Sequence, residues 1–103
     1  MKKFKISYSD IATDDIYNLT YIIINKYKSP LTSVKYIADL INEIDRLKVC
    51  AESIQFCKQK TITDKFGINA RRINFKKMAI IYTIFQDIVV IEAILPQTAI
   101  KEL

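Results

Sequence analysis

Apolar residues are concentrated in the last third of the chain, in two strand-like runs. Residues 78–85 and 88–95 are rich in Ile, Val, Tyr and Phe, and only Gln86 and Asp87 separate them. Because two polar residues between β-prone runs are typical of a tight hairpin, the pattern predicts an antiparallel pair of strands. A shorter strand over residues 70–75 precedes this pair and completes a predicted three-stranded meander.

The middle run is apolar at both odd and even positions, which is typical of a strand covered on both faces of its sheet. In the last run, one face is wholly apolar and the other also carries Glu92, whose charge needs a partner there. The predicted faces are Met78, Ile80, Tyr82 and Ile84 against Ala79, Ile81 and Phe85 in the middle run, and Val89, Ile91, Ala93 and Leu95 against Ile88, Val90, Glu92 and Ile94 in the last.

The first half of the chain changes from alternation to helical periodicity. Phe4, Ile6 and Tyr8 alternate with polar residues, which predicts a strand with one buried face. A helix should follow and run to about Lys26. Its candidate N-caps are Ser9, Asp10 and Thr13, and its apolar stripe is Ala12, Ile16, Leu19 and Ile23 widened by Ile22. Tyr17, Tyr21 and Tyr27 are expected to flank the core, with an aromatic stacking surface as the alternative.

Ser29 and Pro30 supply an N-cap and a proline at the first helical position, so a second helix begins almost at once. The two helices are predicted to form an antiparallel hairpin, with the second ending near residues 49–51. Its predicted apolar stripe is Val34, Ile37, Ala38, Ile41, Ile44 and Leu47 or Lys48.

No period holds for long over residues 52–69, so this segment is expected to be a loop that ends near Gly67. The predicted order is therefore a strand, a helical hairpin, a loop and three strands. This order predicts a single α+β domain over residues 1–103, with the helical hairpin packed on one face of an antiparallel sheet.

The net charge of +5 comes mainly from one short segment. Residues 58–77 hold seven basic residues against one acidic residue, whereas basic and acidic residues nearly balance in residues 1–57. A local block of this kind favours contact with nucleic acid or an acidic protein. A solvated loop that keeps the chain soluble explains it equally well.

Candidate catalytic chemistry is sparse. The chain has no histidine, no glycine-rich phosphate loop and no nucleophile placed beside a base, so the sequence predicts neither a cofactor nor a metal site. Cys50 and Cys57 are too few for a disulfide framework, which indicates a reduced, cytoplasmic setting. Polar residues interrupt the longest apolar region, so no membrane helix is expected.

The basic strand is the remaining candidate site. If Ile73 and Phe75 face the helices, then Arg72, Asn74 and Lys76 face the open side of the sheet. An ion pair between Arg72 and Glu92 depends on the order of the strands. The candidate contacts to a partner or nucleic acid are Arg71, Arg72, Asn74, Lys76, Lys77, Lys58 and Lys60, with Tyr82 and Glu92 as further contributors on the sheet face.

Three segments, which together cover nearly the whole chain, carry a resemblance to a known family. They are the opening FKISYSDIATDDI, the helical YIIINKYKSPLTSVKYIADLINEIDRL and the closing RRINFKKMAIIYTIFQDIVVIEAI. A helical hairpin with Ser-Pro at its turn, an Arg-bearing strand and an Ile-Ile-Tyr strand resemble the RelE/ParE superfamily, the toxins of bacterial type II toxin-antitoxin pairs.

The resemblance implies one of two activities. RelE-like members are ribosome-dependent mRNA endonucleases, whereas ParE-like members bind and poison DNA gyrase. The long second helix resembles the ParE branch. The nuclease branch commonly has arginine where this chain has Ala79, and His, Arg and Tyr near the C-terminus where it has residues 96–99, PQTA; only Arg71 or Arg72 and Tyr82 match.

The resemblance therefore favours a toxin that acts by binding, without enzymatic activity. It implies a cognate antitoxin as partner, growth inhibition, a part in plasmid stabilisation, and DNA gyrase or the ribosome as target. Two alternatives stay open, a RelE-like nuclease and a degenerate member with a binding or regulatory role. The oligomeric state is left open, with a complex with the antitoxin as one form.

Overall fold

The structure, a computed structural model, describes residues 3–103 and contains in that range a helical hairpin packed on a four-stranded sheet. The predicted α+β class is confirmed. The helices and strands are β1 (Lys5–Tyr8), α1 (Asp10–Tyr27), α2 (Pro30–Asp45), α3 (Leu47–Cys50), α4 (Lys60–Phe66), β2 (Arg71–Phe75), β3 (Met78–Phe85) and β4 (Ile88–Pro96), with 3-10 helices at Ala51–Ser53 and Gln97–Glu102.

The strand order is β1-β4-β3-β2. The predicted meander is confirmed, because β3 pairs antiparallel with both β2 and β4. The prediction of a wholly antiparallel sheet is wrong, because β1 pairs parallel with β4. A parallel pair needs a long crossover between its strands, and here the whole chain from α1 to β3 supplies it.

Both hairpins of the sheet turn on two residues. Gln86 begins the turn between β3 and β4 with φ 56°, and Lys76 begins the turn between β2 and β3 with φ 51°. Two-residue hairpin turns need positive φ at their first central position, because that twist matches the twist of the strands. The predicted turn at Gln86 and Asp87 is confirmed.

A β-bulge in β4 changes which residues share a face. The pairing shifts between Ile81 and Tyr82, and Glu92 has no partner in the register of β3. Because one extra residue reverses the alternation, Ile94 packs with Ile91 towards the helices, whereas Leu95 packs on the other face. The prediction of one face from Val89 through Leu95 is therefore wrong beyond the bulge.

The helical hairpin covers one face of the sheet, as predicted. In α1, Ala12, Leu19 and Ile23 are buried as expected, but Ile22 is 57% exposed. The predicted apolar stripe of the second helix is confirmed at Ile44 and Leu47, which are buried. Before them the stripe is displaced, because α2 buries Ser33, Tyr36 and Leu40 in place of the predicted Val34, Ile37, Ala38 and Ile41.

Burial of a serine explains this displacement. The Ser33 hydroxyl lies 3.0 Å from the Ser29 carbonyl oxygen and 3.4 Å from that of Ile23, so the helix backbone satisfies it. Tyr36, three residues further, packs edge-on against Phe75 of β2 with ring centroids 5.3 Å apart. The apolar residues next to this stripe consequently lie towards the outside of the hairpin.

The second face of the sheet is covered as well. Ile62 of α4 and Ile100 of the C-terminal 3-10 helix pack with Ala79 and Ile81 of β3 in a second apolar cluster. The expected loop over residues 52–69 therefore contains a helix, and the sheet does not have the open face expected from the sequence. The two-sided burial predicted for β3 is confirmed. No helix in residues 3–103 has the length and apolar content of a membrane span.

Candidate functional site

The basic residues of segment 58–77 lie at separate positions in the structure. Arg71 alternates with Arg72 along β2, so the two side chains point to opposite faces of the sheet. Lys76 and Lys77 form the next turn, and Lys58 and Lys60 lie near the start of α4. The seven candidate residues therefore do not form one continuous cationic surface, contrary to the expectation from their spacing in the chain.

Arg71 is used inside the protein. Its Nη1 atom donates to the carbonyl oxygens of Ile54 at 2.5 Å and Glu52 at 3.0 Å, and lies 3.5 Å from that of Ala51. Its guanidinium carbon also lies 4.3 Å from the centroid of the Phe56 ring. These contacts fasten the segment after α3 to the edge of the sheet through one terminal nitrogen of Arg71, while its buried Nε donor has no hydrogen-bond partner in the described part of the chain.

Tyr82 is fully buried, and its hydroxyl donates to the Ala51 carbonyl oxygen at 2.8 Å. Burial raises the pKa of Tyr82 well above its ordinary value of 10.0, and the nearby Arg71 guanidinium only partly opposes this rise. The phenol therefore stays protonated at neutral pH. In this position it anchors a turn of the backbone and does not line an exposed face of the sheet.

Arg72 and Asn74 lie on the second face, as predicted for β2. Arg72 donates from Nε to Asn74 Oδ1 at 2.9 Å and from Nη1 to Gln59 Oε1 at 3.1 Å, with Gln97 Oε1 3.4 Å from Nη2. Gln59 precedes α4 and Gln97 begins the C-terminal 3-10 helix. Arg72 thereby links the two segments that cover this face.

The ion pair considered between Arg72 and Glu92 does not form, because β3 lies between their strands. Glu92 sits at the bulge and accepts a hydrogen bond from the Thr83 hydroxyl at 3.1 Å. A partner for the Glu92 carboxylate on this largely apolar strand was expected from the sequence. That partner is the Thr83 hydroxyl.

The alternation along β2 had predicted that Lys76 lies in one row with Arg72 and Asn74. The structure contradicts this prediction. The positive φ of Lys76 turns the chain, and its ammonium nitrogen lies 4.9 Å from the centroid of the Tyr36 ring and 5.5 Å from that of Phe75. Lys60 is exposed and pairs with Asp64 at 3.1 Å on the surface of α4. The exposed cations available to a partner are therefore spread around one end of the sheet.

The outer side of the helical hairpin is a surface that the sequence analysis missed. A hollow of about 670 Å³ lies between α1 and α2 near their connection, and a second of about 530 Å³ continues past Thr20 towards Tyr8. The exposed apolar side chains that line them include Tyr17 (73% exposed), Ile24 (53%) and Val34 (67%), and Tyr21 (72%) lies one helical turn after Tyr17 on α1. We call the two hollows together the hairpin groove.

A signal for this surface was present in the sequence. Tyr17, Tyr21 and Ile24 recur at helical spacing in α1, and α2 has more apolar positions than one buried stripe can hold. An exposed apolar surface of this kind marks a site of association in soluble proteins. Tyr82 is buried and Arg71 contacts backbone carbonyl oxygens after α3, so neither side chain belongs to this exposed surface.

No protein-family model matches the chain, and no curated protein matches it. A chain from the chromosomal ParDE toxin-antitoxin system of P. aeruginosa is similar in structure, with a TM-score of 0.74, 10% identity, and coverage of 91% of this chain and 96% of that one. A chain of the toxin-antitoxin complex RelBE2 from Mycobacterium tuberculosis has a TM-score of 0.61, 11% identity, and coverage of 92% and 99%. At these identities the similarity shows the fold alone, and that fold is the one that the sequence resemblance implied.

Proposed function

We propose that this chain is the toxin component of a type II toxin-antitoxin system, that it acts by binding in the ParE manner, and that a cognate antitoxin neutralises it. DNA gyrase is the target that the ParE resemblance implies. The observation that carries the proposal is the fold shared over 91% of the chain with a member of the ParDE system. The resemblance of the sequence reaches the same superfamily independently of the coordinates.

Two features of the structure support binding over RNA cleavage. Tyr82 and either Arg71 or Arg72 match the nuclease branch. The Tyr82 phenol is fully buried, Arg71 donates to backbone carbonyl oxygens, and Arg72 donates to the side chains of Asn74 and Gln59. A nuclease needs groups that reach the substrate to stabilise charge and transfer protons. The apolar hairpin groove, in contrast, is suited to contact with another protein.

The antitoxin is the partner we propose for the hairpin groove. A helical or extended tail laid along α1 and α2 would cover the exposed apolar side chains, and its acidic residues would pair with exposed cations near the sheet. Lys58, Lys60, Lys76 and Lys77 are the exposed cations proposed for such contacts, with Arg72 beside them.

Expression of the chain by itself in a bacterial host tests the proposal. We expect growth arrest with activation of a DNA-damage reporter while cellular transcripts stay intact. Rapid cleavage of transcripts and arrest of translation would support the ribosomal nuclease instead. Normal growth with soluble, folded protein in the cell would contradict both toxin activities and leave the degenerate, regulatory member.

The variant Tyr82→Phe separates the two toxin activities further. It removes the phenol hydroxyl, which the nuclease alternative would use, while keeping the aromatic ring in the core. A toxin that acts by binding retains growth inhibition in this variant once the amount of folded protein is matched. Loss of toxicity at matched protein levels would favour the nuclease.

A further inference from the structure

The hairpin groove is wider than one partner helix needs. Its exposed side chains stand on both helices, and the Tyr17 and Tyr21 rings extend outwards from α1, with exposed fractions of 73% and 72%. A single helix lying in the groove between α1 and α2 would leave parts of these outer surfaces in water. A second helical hairpin would cover both helices. The exposed side chains concerned are Tyr17, Tyr21, Ile24 and Val34, together with the half-buried Ile37 and Ile41.

Charge is segregated along the helical hairpin. At the connected end, which we call the tip, Lys26 and Lys28 are basic, and Lys35 further along α2 pairs with Asp39 at 2.9 Å. At the opposite end of α1 and α2, which we call the base, acidic residues outnumber basic ones and give a net charge of −3: Asp10, Asp14, Asp15, Glu43 and Asp45 against Arg46, which pairs with Glu43, and Lys48, which lies 3.7 Å from Asp45. Residues 16–25 between them carry no charge, so the exposed apolar side chains lie between two ends of opposite sign.

We propose that two copies of this chain associate through their helical hairpins, in an antiparallel arrangement about a two-fold axis. This geometry places the basic tip of each copy against the acidic base of the other, and it brings the two apolar faces together. A two-fold interface uses the same patch on both copies, so one complementary pattern serves twice. The inference does not depend on the proposed toxin function.

Dimensions predict the strength of the dimer. The stretch from Thr13 to Lys28 spans about 24 Å at 1.5 Å per residue, and two packed helices are about 20 Å wide, so each face measures roughly 500 Å² in projection. A standard interface covers about 800 Å² of accessible surface per partner. The dimer is accordingly weak, with a dissociation constant in the micromolar range, and a tighter partner can displace one copy.

Charge reversal at either end provides a sharp test. The tip variant Lys26→Glu, Lys28→Glu makes both ends acidic, and the base variant Asp14→Lys, Asp45→Lys changes the net charge of the base from −3 to +1, so that both ends are basic. Each variant by itself should dimerise at least about tenfold more weakly than the natural chain, because both end contacts become repulsive. An equal mixture of the two variants should associate again, because acidic ends then meet basic ends.

Sedimentation velocity of the purified chain from about 5 to 500 µM gives the measurement, since this range brackets a micromolar constant. Added salt should weaken the natural dimer, because its end contacts are exposed to solvent. Circular dichroism of each variant verifies that the helices are retained.

Apolar substitutions supply a second, independent arm. Ile24→Glu places a charge in the groove and should abolish the dimer, whereas Ile68→Glu, at a site 79% exposed outside the helical hairpin, should leave it unchanged. A natural chain that stays monomeric at 500 µM would overturn the proposal, even if an antitoxin binds the same groove. Failure of the mixed variants to associate would overturn the antiparallel arrangement. Equal weakening of the dimer by Ile24→Glu and Ile68→Glu would overturn the assignment of the interface to the hairpin groove.

Discussion

The hydroxyl of Tyr82 on β3 donates a 2.8 Å hydrogen bond to the carbonyl oxygen of Ala51, in the turn that follows α3. Arg71, the residue paired with Tyr82 in the register of β2 and β3, reaches the same turn from the neighbouring strand. Two of the residues that most resemble nuclease groups in the sequence therefore hold the backbone between the helices and the sheet. The conformations of the Tyr82 and Arg71 side chains are set by these contacts within the fold.

Removing that hydroxyl should weaken the fold measurably. Tyr82→Phe keeps the ring but removes the donor, and the Ala51 carbonyl oxygen is left with Arg71 Nη1 at 3.5 Å. A buried hydrogen bond of this kind contributes about 1 kcal/mol to the free energy of unfolding. Urea denaturation followed by circular dichroism should show a loss of this size. Tyr17→Phe, at a site 73% exposed, is the control and should change little.

The two helix N-caps offer a matched comparison. The Ser9 hydroxyl accepts from the Ala12 amide at 3.0 Å and also donates to the Glu92 carbonyl oxygen at 2.8 Å, whereas the Ser29 hydroxyl accepts from the Thr32 amide at 3.4 Å. Ser9→Ala should lower the free energy of unfolding by about 1 to 2 kcal/mol, because it removes a cap and a contact to the bulge.

Ser29→Ala should cost less than Ser9→Ala, because its capping bond is longer. Denaturant unfolding of both variants beside the natural chain measures the difference. Equal losses would mean that the Ser9 contact to the β4 bulge contributes nothing beyond the cap.

Much of the fold was predictable because its signals are local. The alternation in β3, the two-residue turn at Gln86 and the Ser29-Pro30 helix start each depend on neighbouring residues, and all three are found in the structure. The parallel pairing of β1 with β4 was not predictable in this way. It joins residues more than eighty positions apart, and the pattern of β1 suits either direction of pairing.

The missed features have different physical causes. The bulge at Glu92 leaves no signal in the sequence, because apolar residues continue on both sides of it. Helix α4 has seven residues and no side-chain cap, too short for a period to emerge. In α2, apolar residues occupy two adjacent faces, and only the tertiary contacts of Ser33 and Tyr36 decide which face is buried.

The candidate site was less predictable than the fold. Net charge along the chain located the basic segment, but strand alternation and one turn separate Arg71, Arg72 and Lys76 in space. Direct contacts with carbonyl groups then decide which cations remain available to a partner. The hairpin groove was overlooked because its residues were assigned to the core.

Helix α4 should be part of the cooperative fold. Ile62 is fully buried in the second apolar cluster, so Ile62→Ala should lower the free energy of unfolding by about 2 to 5 kcal/mol through lost burial and a cavity. Ile68→Ala, at a site 79% exposed, is the control and should be nearly neutral. A small effect of Ile62→Ala in urea denaturation would show that α4 covers the sheet without stabilising it.

Asp15 should give stability a distinctive dependence on pH. Its carboxylate accepts from the Ile94 amide at 2.8 Å, beside the bulge. Burial raises its pKa above the ordinary 3.8, and the negative charge of Asp14 adds to the rise, although the Ile94 hydrogen bond and Lys65 oppose it. The folded state therefore binds the Asp15 proton more tightly than the unfolded state does.

The direction in which stability changes with pH follows from this difference in proton affinity. The contribution of Asp15 to stability is fully present below pH 3.8 and is lost as pH rises through the raised pKa of the folded state. Asp15→Asn keeps an oxygen that can accept from Ile94 and removes the titration. The stability of the natural chain relative to this variant should consequently fall as pH rises across that window.

Urea denaturation at a series of pH values from about 3 to 7 measures this difference, and the absence of histidine removes one other group that titrates near the upper end. Asp87→Asn, at an exposed turn, is the matched control for replacing a carboxylate by an amide. A difference that instead grows in favour of the natural chain as pH rises would mean that the Ile94 hydrogen bond outweighs burial, so that the ionised carboxylate stabilises the bulge.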